Sequence, residues 1–196
     1  KKVWQNQPVI IVDIDDVLAE FRGTFADFLV SEFGINADPE SKQYYFVDEV
    51  SEEGFNPEAV FQSFVEKGMF RNLPVIDDAV KFLNGLKKKG YWIHLLTARP
   101  KENKKIFYDT FFWLKEHDIP FDDIDFSPEK FRWCAQSKYY DKGGIYYAID
   151  DSPKHAIEYA KHGIRVKVPV KSYNTDITNS ENIEHYNNLK ELMEIL

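Results

Sequence analysis

Along this chain, short apolar runs alternate with stretches in which apolar residues recur every three or four positions. Pro8 to Ile14 reads PVIIVDI, a β-branched run of the kind buried on both faces of a parallel sheet. Phe21, Phe25, Phe28, Leu29 and Phe33 then share one side of a predicted helix over 20–33, which Gly34 ends. The segment 35–56 is polar and irregular except where Tyr44, Tyr45, Phe46 and Val47 interrupt it. A second helix is predicted over 57–67 with Pro57 in its first turn, and Asn72-Leu73-Pro74 forms a break.

From residue 76 the alternation becomes regular. A helix over 77–89 closed by Gly90 leads to a strand over 91–96, and a helix over 101–117 to a short strand over 124–127. A helix over 129–139 and a Gly143-Gly144 turn precede a strand over 145–149. A helix over 153–162, a strand over 164–168 and a last helix over 184–195 complete the chain. Strands alternating with helices imply βαβ units and a parallel sheet, hence an α/β fold. The mostly helical stretch 20–72, between the first strand and the rest, is the candidate inserted domain. Residues 1–19 and 73–196 form the core.

Composition narrows the function. The 196 residues suit one domain, or a core with a modest insertion, and 43% hydrophobic with 30% charged residues is an ordinary globular balance. A net charge of −8 argues against an extended nucleic-acid surface, though not against a local basic pocket for one phosphate. Cys134 is the single cysteine, so no intrachain disulfide can form, which suits a reducing cytoplasm. The polar start reads as no signal peptide, and no apolar run is long enough to predict a membrane span. The histidines at 94, 117, 155, 162 and 185 offer no pair with metal-ligand spacing. Neither GxGxxG nor GxxxxGK[ST] occurs.

Ligands of open α/β sheets bind beyond the carboxyl ends of the strands. Those ends carry Asp13, Asp15 and Asp16, then Thr97, Ala98 and Arg99, then Ser127 with Lys130, then Asp150 and Asp151. Carboxylates crowded on one rim stay ionised only beside a compensating cation, and an oxygen-only donor set favours a hard ion, Mg²⁺ before others. Lys130 and Thr97 offer charge and a hydroxyl to phosphate oxygens. A carboxylate in line with phosphorus can attack it, and a second carboxyl two residues on can protonate the leaving oxygen and then activate water. Arg99 fits either a phosphate clamp or a surface position, and Lys138 and Lys142 compete with Lys130 by lying nearer the acidic pair.

Taken in order, these segments resemble the four motifs of the haloacid-dehalogenase-like superfamily. VDIDDVLA (12–19) is similar to the first, LLTARP (95–100) to the second, Lys130 to the third-motif lysine and YAIDDSP (147–153) to the acidic fourth. The resemblance implies a Rossmann-like core with a small helical cap inserted after the first strand, here 20–72. It implies Asp13 as nucleophile and metal ligand, and Asp15 as general acid/base with its backbone carbonyl on the metal. Thr97, Ala98, Arg99 and Lys130 become phosphate-binding candidates, and Asp150 and Asp151 complete an Mg²⁺ site, with Asp151 favoured for the direct bond. DIDDVLAEF, the short insert and the tail GIRVKVPVKSYN (163–174) resemble the 5′-nucleotidase branch, which includes deoxyribonucleotidases. Asp16 departs from that branch, which usually has Gly there.

The expectation is a phosphomonoester hydrolase acting through an aspartyl-phosphate on a small phosphorylated substrate such as a nucleotide. Phe21, Arg22, Tyr44, Tyr45 and Phe46 are the cap residues expected to touch a base or sugar. Phosphatases of polynucleotide ends or sugar phosphates, and a catalytically idle phosphate-binding module, are the alternatives.

Overall fold

In the computed structural model, which describes residues 2–196, six parallel strands form one sheet in the order β3-β2-β1-β4-β5-β6. The strands are β1 (Val9–Val12), β2 (Trp92–Thr97), β3 (Asp123–Phe126), β4 (Ile145–Ile149), β5 (Val166–Pro169) and β6 (Ile183–Tyr186). Every residue of β1 and β2 is buried, the polar His94 and Thr97 of β2 included, as befits inner strands of a sheet covered on both faces. Edge strand β3 carries Asp123 and Asp125, charges that discourage pairing with another chain.

The helices are α1 (Arg22–Phe33), α2 (Val47–Glu52), α3 (Pro57–Glu66), α4 (Ala79–Lys88), α5 (Lys104–Glu116), α6 (Lys130–Gln136), α7 (Pro153–Lys161) and α8 (Leu189–Ile195). Alternation along the strands divides the core. Ile10, Val12, Ile93 and Leu95 pack with Phe82 and Leu86 of α4, Trp113 of α5 and Leu192 of α8. Val9, Ile11 and Leu96 face the opposite way, towards Cys134 of α6 and Tyr159 of α7. Helices therefore cover both faces, the doubly wound arrangement.

The chain leaves the sheet layer after Ala19 and returns at Pro74. Ala19 bridges Val75, while the Glu20 N–H donates to the Pro74 carbonyl at 2.9 Å and the Ile76 N–H to that of Leu18 at 2.8 Å. Between these crossings α1–α3 enclose a small core of their own, including Leu29, Phe46, Val50 and Val60. Phe28, Phe64 and Phe70 join the main core instead.

Two expectations are corrected. The predicted helix over 184–195 starts only at Leu189, where the Asn188 side chain accepts the Glu191 N–H at 2.8 Å; Ile183–Tyr186 form β6 instead, paired with β5. Four residues are too short a run for period alone to separate strand from helix. The stretch 35–56, read as irregular, contains α2, one and a half turns anchored by buried Val50. Gly34 and Gly90 adopt φ of +66° and +88° where α1 and α4 stop, the left-handed geometry that glycine reaches without strain.

Candidate active site

The strand order reverses beside β1: the chain runs outward through β2 and β3, then returns to place β4 on the other side of β1. A crevice opens where the two connections diverge, and the residues following β1 and β4 meet there. Asp13, Asp150 and Asp151 are all buried, and one carboxylate oxygen from each lies within 4.8 Å of the others. Lys130, at the start of α6, reaches this cluster from the connection after β3. Its Nζ lies 2.8 Å from Asp13 Oδ1 and 2.6 Å from Asp150 Oδ2.

Each carboxylate has further partners. Asp13 Oδ1 accepts the Ile14 N–H at 2.8 Å, and Asp150 Oδ1 accepts the Ser152 N–H at 3.0 Å, just ahead of α7. Asp151 Oδ2 accepts the Tyr173 hydroxyl at 2.5 Å, while its Oδ1 is buried with no hydrogen-bond partner. Three acids face one lysine here. Burial, then repulsion from Asp150, pushes the Asp13 carboxyl up to about 6, against the pull of Lys130. Asp151 is likewise raised, by burial first and then by Asp13, Asp16 and Asp150. Burial works against the Lys130 ammonium, but Asp13 and Asp150 outweigh it and hold the proton more tightly than usual. An unpartnered oxygen, an excess of negative charge and an all-oxygen donor set fit a hard divalent cation held by these acids.

The remaining motif residues take distinct places. Thr97 is buried at the end of β2, its Oγ1 accepting the Arg99 N–H at 3.2 Å. Ala98, Arg99, Asp13, Asp15 and Lys130 line the floor of a cavity of about 450 Å³. Arg99 is buried, not a surface residue, and its guanidinium grips the Asp15 carboxylate through Nε at 2.9 Å and Nη2 at 2.6 Å. Ser127 stays off the cavity wall, its Oγ accepting the Glu129 N–H at 3.2 Å. The rivals of Lys130 lie elsewhere: Lys138 over the Trp92 and Tyr139 rings, Lys142 over Trp4.

Asp16 has a φ of +59°, a conformation in which glycine is unstrained and which Asp tolerates better than most residues. Its carboxylate turns to α1 and accepts the N–H groups of Phe21 at 3.1 Å and Arg22 at 3.0 Å. Burial pushes that carboxyl up to about 7, against the pull of these N–H donors.

The cavity roof comes from α1–α3 and the loop between α1 and α2. Phe21, Tyr44, Tyr45 and Phe46 line it, and Phe25, Phe61 and Phe70 add aromatic faces. Arg22 also reaches the wall, but its donors are spent internally, on the carbonyls of Pro39, Ser41, Gln43 and Tyr44 at 2.7 to 2.9 Å. Its Cζ lies between the rings of Phe46 and Tyr173, 4.5 and 4.6 Å from their centroids. Arg22 therefore shapes the roof loop and offers little free charge to a ligand.

Sequence reasoning missed Tyr173, Asn174 and His155. Tyr173 and Asn174 both serve Asp151, the latter donating to its carbonyl at 3.0 Å. The tail 163–174 was visible as a segment, but nothing in its spelling shows that it turns back on the acids. His155 lines the cavity, its imidazole pushed down to about 4 by burial and by Lys130. Cys134 is buried, and its thiol is pushed up to about 12 by burial, which disfavours the nucleophilic thiolate.

A doubly wound parallel sheet with acids converging from β1 and β4 on a buried lysine, together with the family match over residues 7–196, makes this a haloacid-dehalogenase-like phosphatase. Solved structures of that kind superpose over nearly the whole chain. CbbY from Rhodobacter sphaeroides, in complex with phosphate, has a TM-score of 0.64 at 14% identity, over 95% of this chain and 96% of that one. A predicted phosphoglycolate phosphatase from Haemophilus somnus 129pt has a TM-score of 0.65 at 14% identity, over 97% and 98%. The D,D-heptose 1,7-bisphosphate phosphatase from Burkholderia thailandensis has a TM-score of 0.56 at 9% identity, over 96% and 97%. At such identities the likeness is one of fold. A search of curated proteins gives no match. The family described as 5′ nucleotidase, deoxy (pyrimidine), cytosolic type C protein matches residues 7–196, and the chain belongs to it. Among the described residues, no helix is long and apolar enough to cross a membrane.

Proposed function

We propose that this protein is a Mg²⁺-dependent phosphomonoester hydrolase that dephosphorylates nucleotides, deoxynucleotides among them, through an aspartyl-phosphate on Asp13. The observation that carries this reading is the buried trio Asp13, Asp150 and Asp151, the first two paired with Lys130, next to an aromatic-roofed cavity that Asp13 and Lys130 line. The carboxylates of Asp13, Asp151 and Asp150, with the backbone carbonyl of Asp15, would hold the ion. When bound, it supplies the positive charge that offsets the clustered acids and the substrate phosphate.

The chain's own groups divide the chemistry. Lys130 and the backbone at Ala98, which line the cavity, would meet the phosphate oxygens, with the Thr97 hydroxyl behind them at the end of β2. The Asp13 carboxylate attacks phosphorus as the ester P–O bond breaks, and Asp15 gives its proton to the departing oxygen. Asp15 then takes a proton from water, whose oxygen attacks the phosphorus, freeing inorganic phosphate and restoring Asp13. Residues 20–72 act as a cap over the core formed by 1–19 and 73–196, excluding bulk water from the intermediate.

The family match over residues 7–196 and the wall of Phe21, Phe25, Phe61 and Phe70, with Tyr44 and Tyr45 at its edge, support a nucleoside as leaving group. Aromatic faces suit a base better than a polyol, which needs polar partners. The test is phosphate release with and without Mg²⁺ from ribo- and deoxynucleoside monophosphates, sugar phosphates and an aryl phosphate. The reading expects Mg²⁺-dependent turnover with nucleotides preferred, and a KM for nucleotides that rises in Tyr45→Ala while that for sugar phosphates does not. Faster turnover of sugar phosphates than of every nucleotide would overturn the substrate assignment. No Mg²⁺-dependent release from any compound would overturn the reaction.

A further inference from the structure

Asp15 stands in the connection between β1 and α1, outside any named strand or helix, with its side chain a quarter exposed. A carboxylate so placed has little of its own to fix its direction. The group that fixes it is Arg99, itself 4% exposed and held from three sides. Nε and Nη2 meet the two oxygens of Asp15 at 2.9 and 2.6 Å, the two-pronged geometry that sets the plane of a carboxylate as well as its distance. Nη1 donates to Thr110 Oγ1 at 2.9 Å, and the Thr110 hydroxyl in turn donates to the Ile106 carbonyl at 2.7 Å, inside α5. The Phe70 ring lies 4.6 Å from the guanidinium carbon.

From this geometry we infer that Arg99 is a positioning residue for Asp15 and not a ligand of the substrate phosphate; the inference rests on the reading of Asp15 as the acid–base group. Two links, Arg99 and Thr110, fasten the acid to the rigid helix α5. The fork occupies one lone pair on each oxygen of Asp15 and leaves the others free, and both residues line the cavity. A proton carried there points consistently at the leaving oxygen. Without the fork the carboxyl samples several rotamers, and fewer encounters are productive. A phosphate clamp at Arg99 would have to surrender Asp15 at the moment the acid is needed.

The two roles separate by experiment on the Mg²⁺-loaded protein of 196 residues. A nucleoside monophosphate leaves as a basic alkoxide that needs its proton, whereas p-nitrophenyl phosphate leaves as a stable phenolate. Arg99→Lys keeps the charge and loses the fork. Its kcat on the nucleotide is expected to fall about a hundredfold and its kcat on the aryl phosphate less than about tenfold, with KM unchanged. Thr110→Val, a gentler change that leaves the ion pair in place, is expected to shift both in the same direction by less. Calorimetric binding of inorganic phosphate should match the parent in both variants, and Arg99→Lys should add no further loss to Asp15→Asn. Weakened phosphate binding with both substrates slowed equally, or an additive loss on Asp15→Asn, would overturn the inference while leaving the phosphatase reading intact. A parent that releases no phosphate at all would sink both.

Discussion

Lys130 Nζ lies 2.8 Å from Asp13 Oδ1, and both side chains are buried. The lysine spans Asp13 and Asp150, so it is the only cation in contact with this pair of acids among the described residues. Removing one partner of a buried ion pair leaves the other uncompensated. Lys130→Met is therefore expected to destabilise the metal-free protein by about 3–5 kcal/mol in urea unfolding. Millimolar Mg²⁺ should recover part of the loss, because a bound divalent cation compensates the same carboxylates. An unfolding midpoint equal to the parent's would contradict this account of the lysine.

Asp13→Asn keeps the shape of the side chain and removes its nucleophilic oxygen anion. Steady-state phosphate release should fall by at least about a thousandfold, with the far-ultraviolet circular dichroism unchanged. Rapid mixing of the parent with an aryl phosphate should show a burst of phenolate if the second half-reaction is slower than the first.

The crowded acids carry a pH dependence with a definite sign. Burial raises Asp13 from 3.8 to about 6 and Asp16 from 3.8 to about 7, and Asp151 rises too. The folded state thus holds protons that the unfolded chain has released, so the contribution of these groups to stability is greatest below about pH 4 and is lost as pH climbs through about 6 to 7. In EDTA, the thermal midpoint is expected to decline from about pH 5 to about pH 8, and Asp151→Asn should flatten the decline. Mg²⁺ should raise the midpoint most at the alkaline end, where the acids are ionised. Differential scanning calorimetry with and without the metal checks each sign.

Tyr173 donates its hydroxyl to Asp151 Oδ2 while its ring packs edge-on to Tyr44 at 5.2 Å and beneath Arg22. Tyr173→Phe deletes the donor and spares the packing. Loss of an outer partner of a metal-ligating carboxylate typically weakens metal binding about 10–100-fold, and that is the change expected in the Mg²⁺ concentration needed for half-maximal activity. An unchanged Mg²⁺ requirement would mean that the hydroxyl serves only the fold.

Much of this arrangement was legible in residue order. The short, largely apolar runs at 8–14, 91–96 and 145–149 announced strands, and their alternation with helical stretches announced a parallel sheet. Since strands of one parallel sheet all end on one rim, the acids after the first and fourth runs were bound to share it. Strand β6 escaped notice because four residues carry almost no period. Asp16 could be seen but not placed: its positive φ and its hold on the start of α1 are properties of a turn, not of a composition.

The linear pattern alone determined the α/β alternation and the convergence of Asp13 with Asp150 and Asp151, because local period and strand polarity dictate both. Only the tertiary structure set Lys130, and not Lys138 or Lys142, beside the acids, turned Arg99 onto Asp15, bound Arg22 into the roof loop and brought Tyr173 back to Asp151. Those choices depend on the direction in which long side chains leave their backbones and on segments separated by 17 to 117 residues, neither of which spacing encodes.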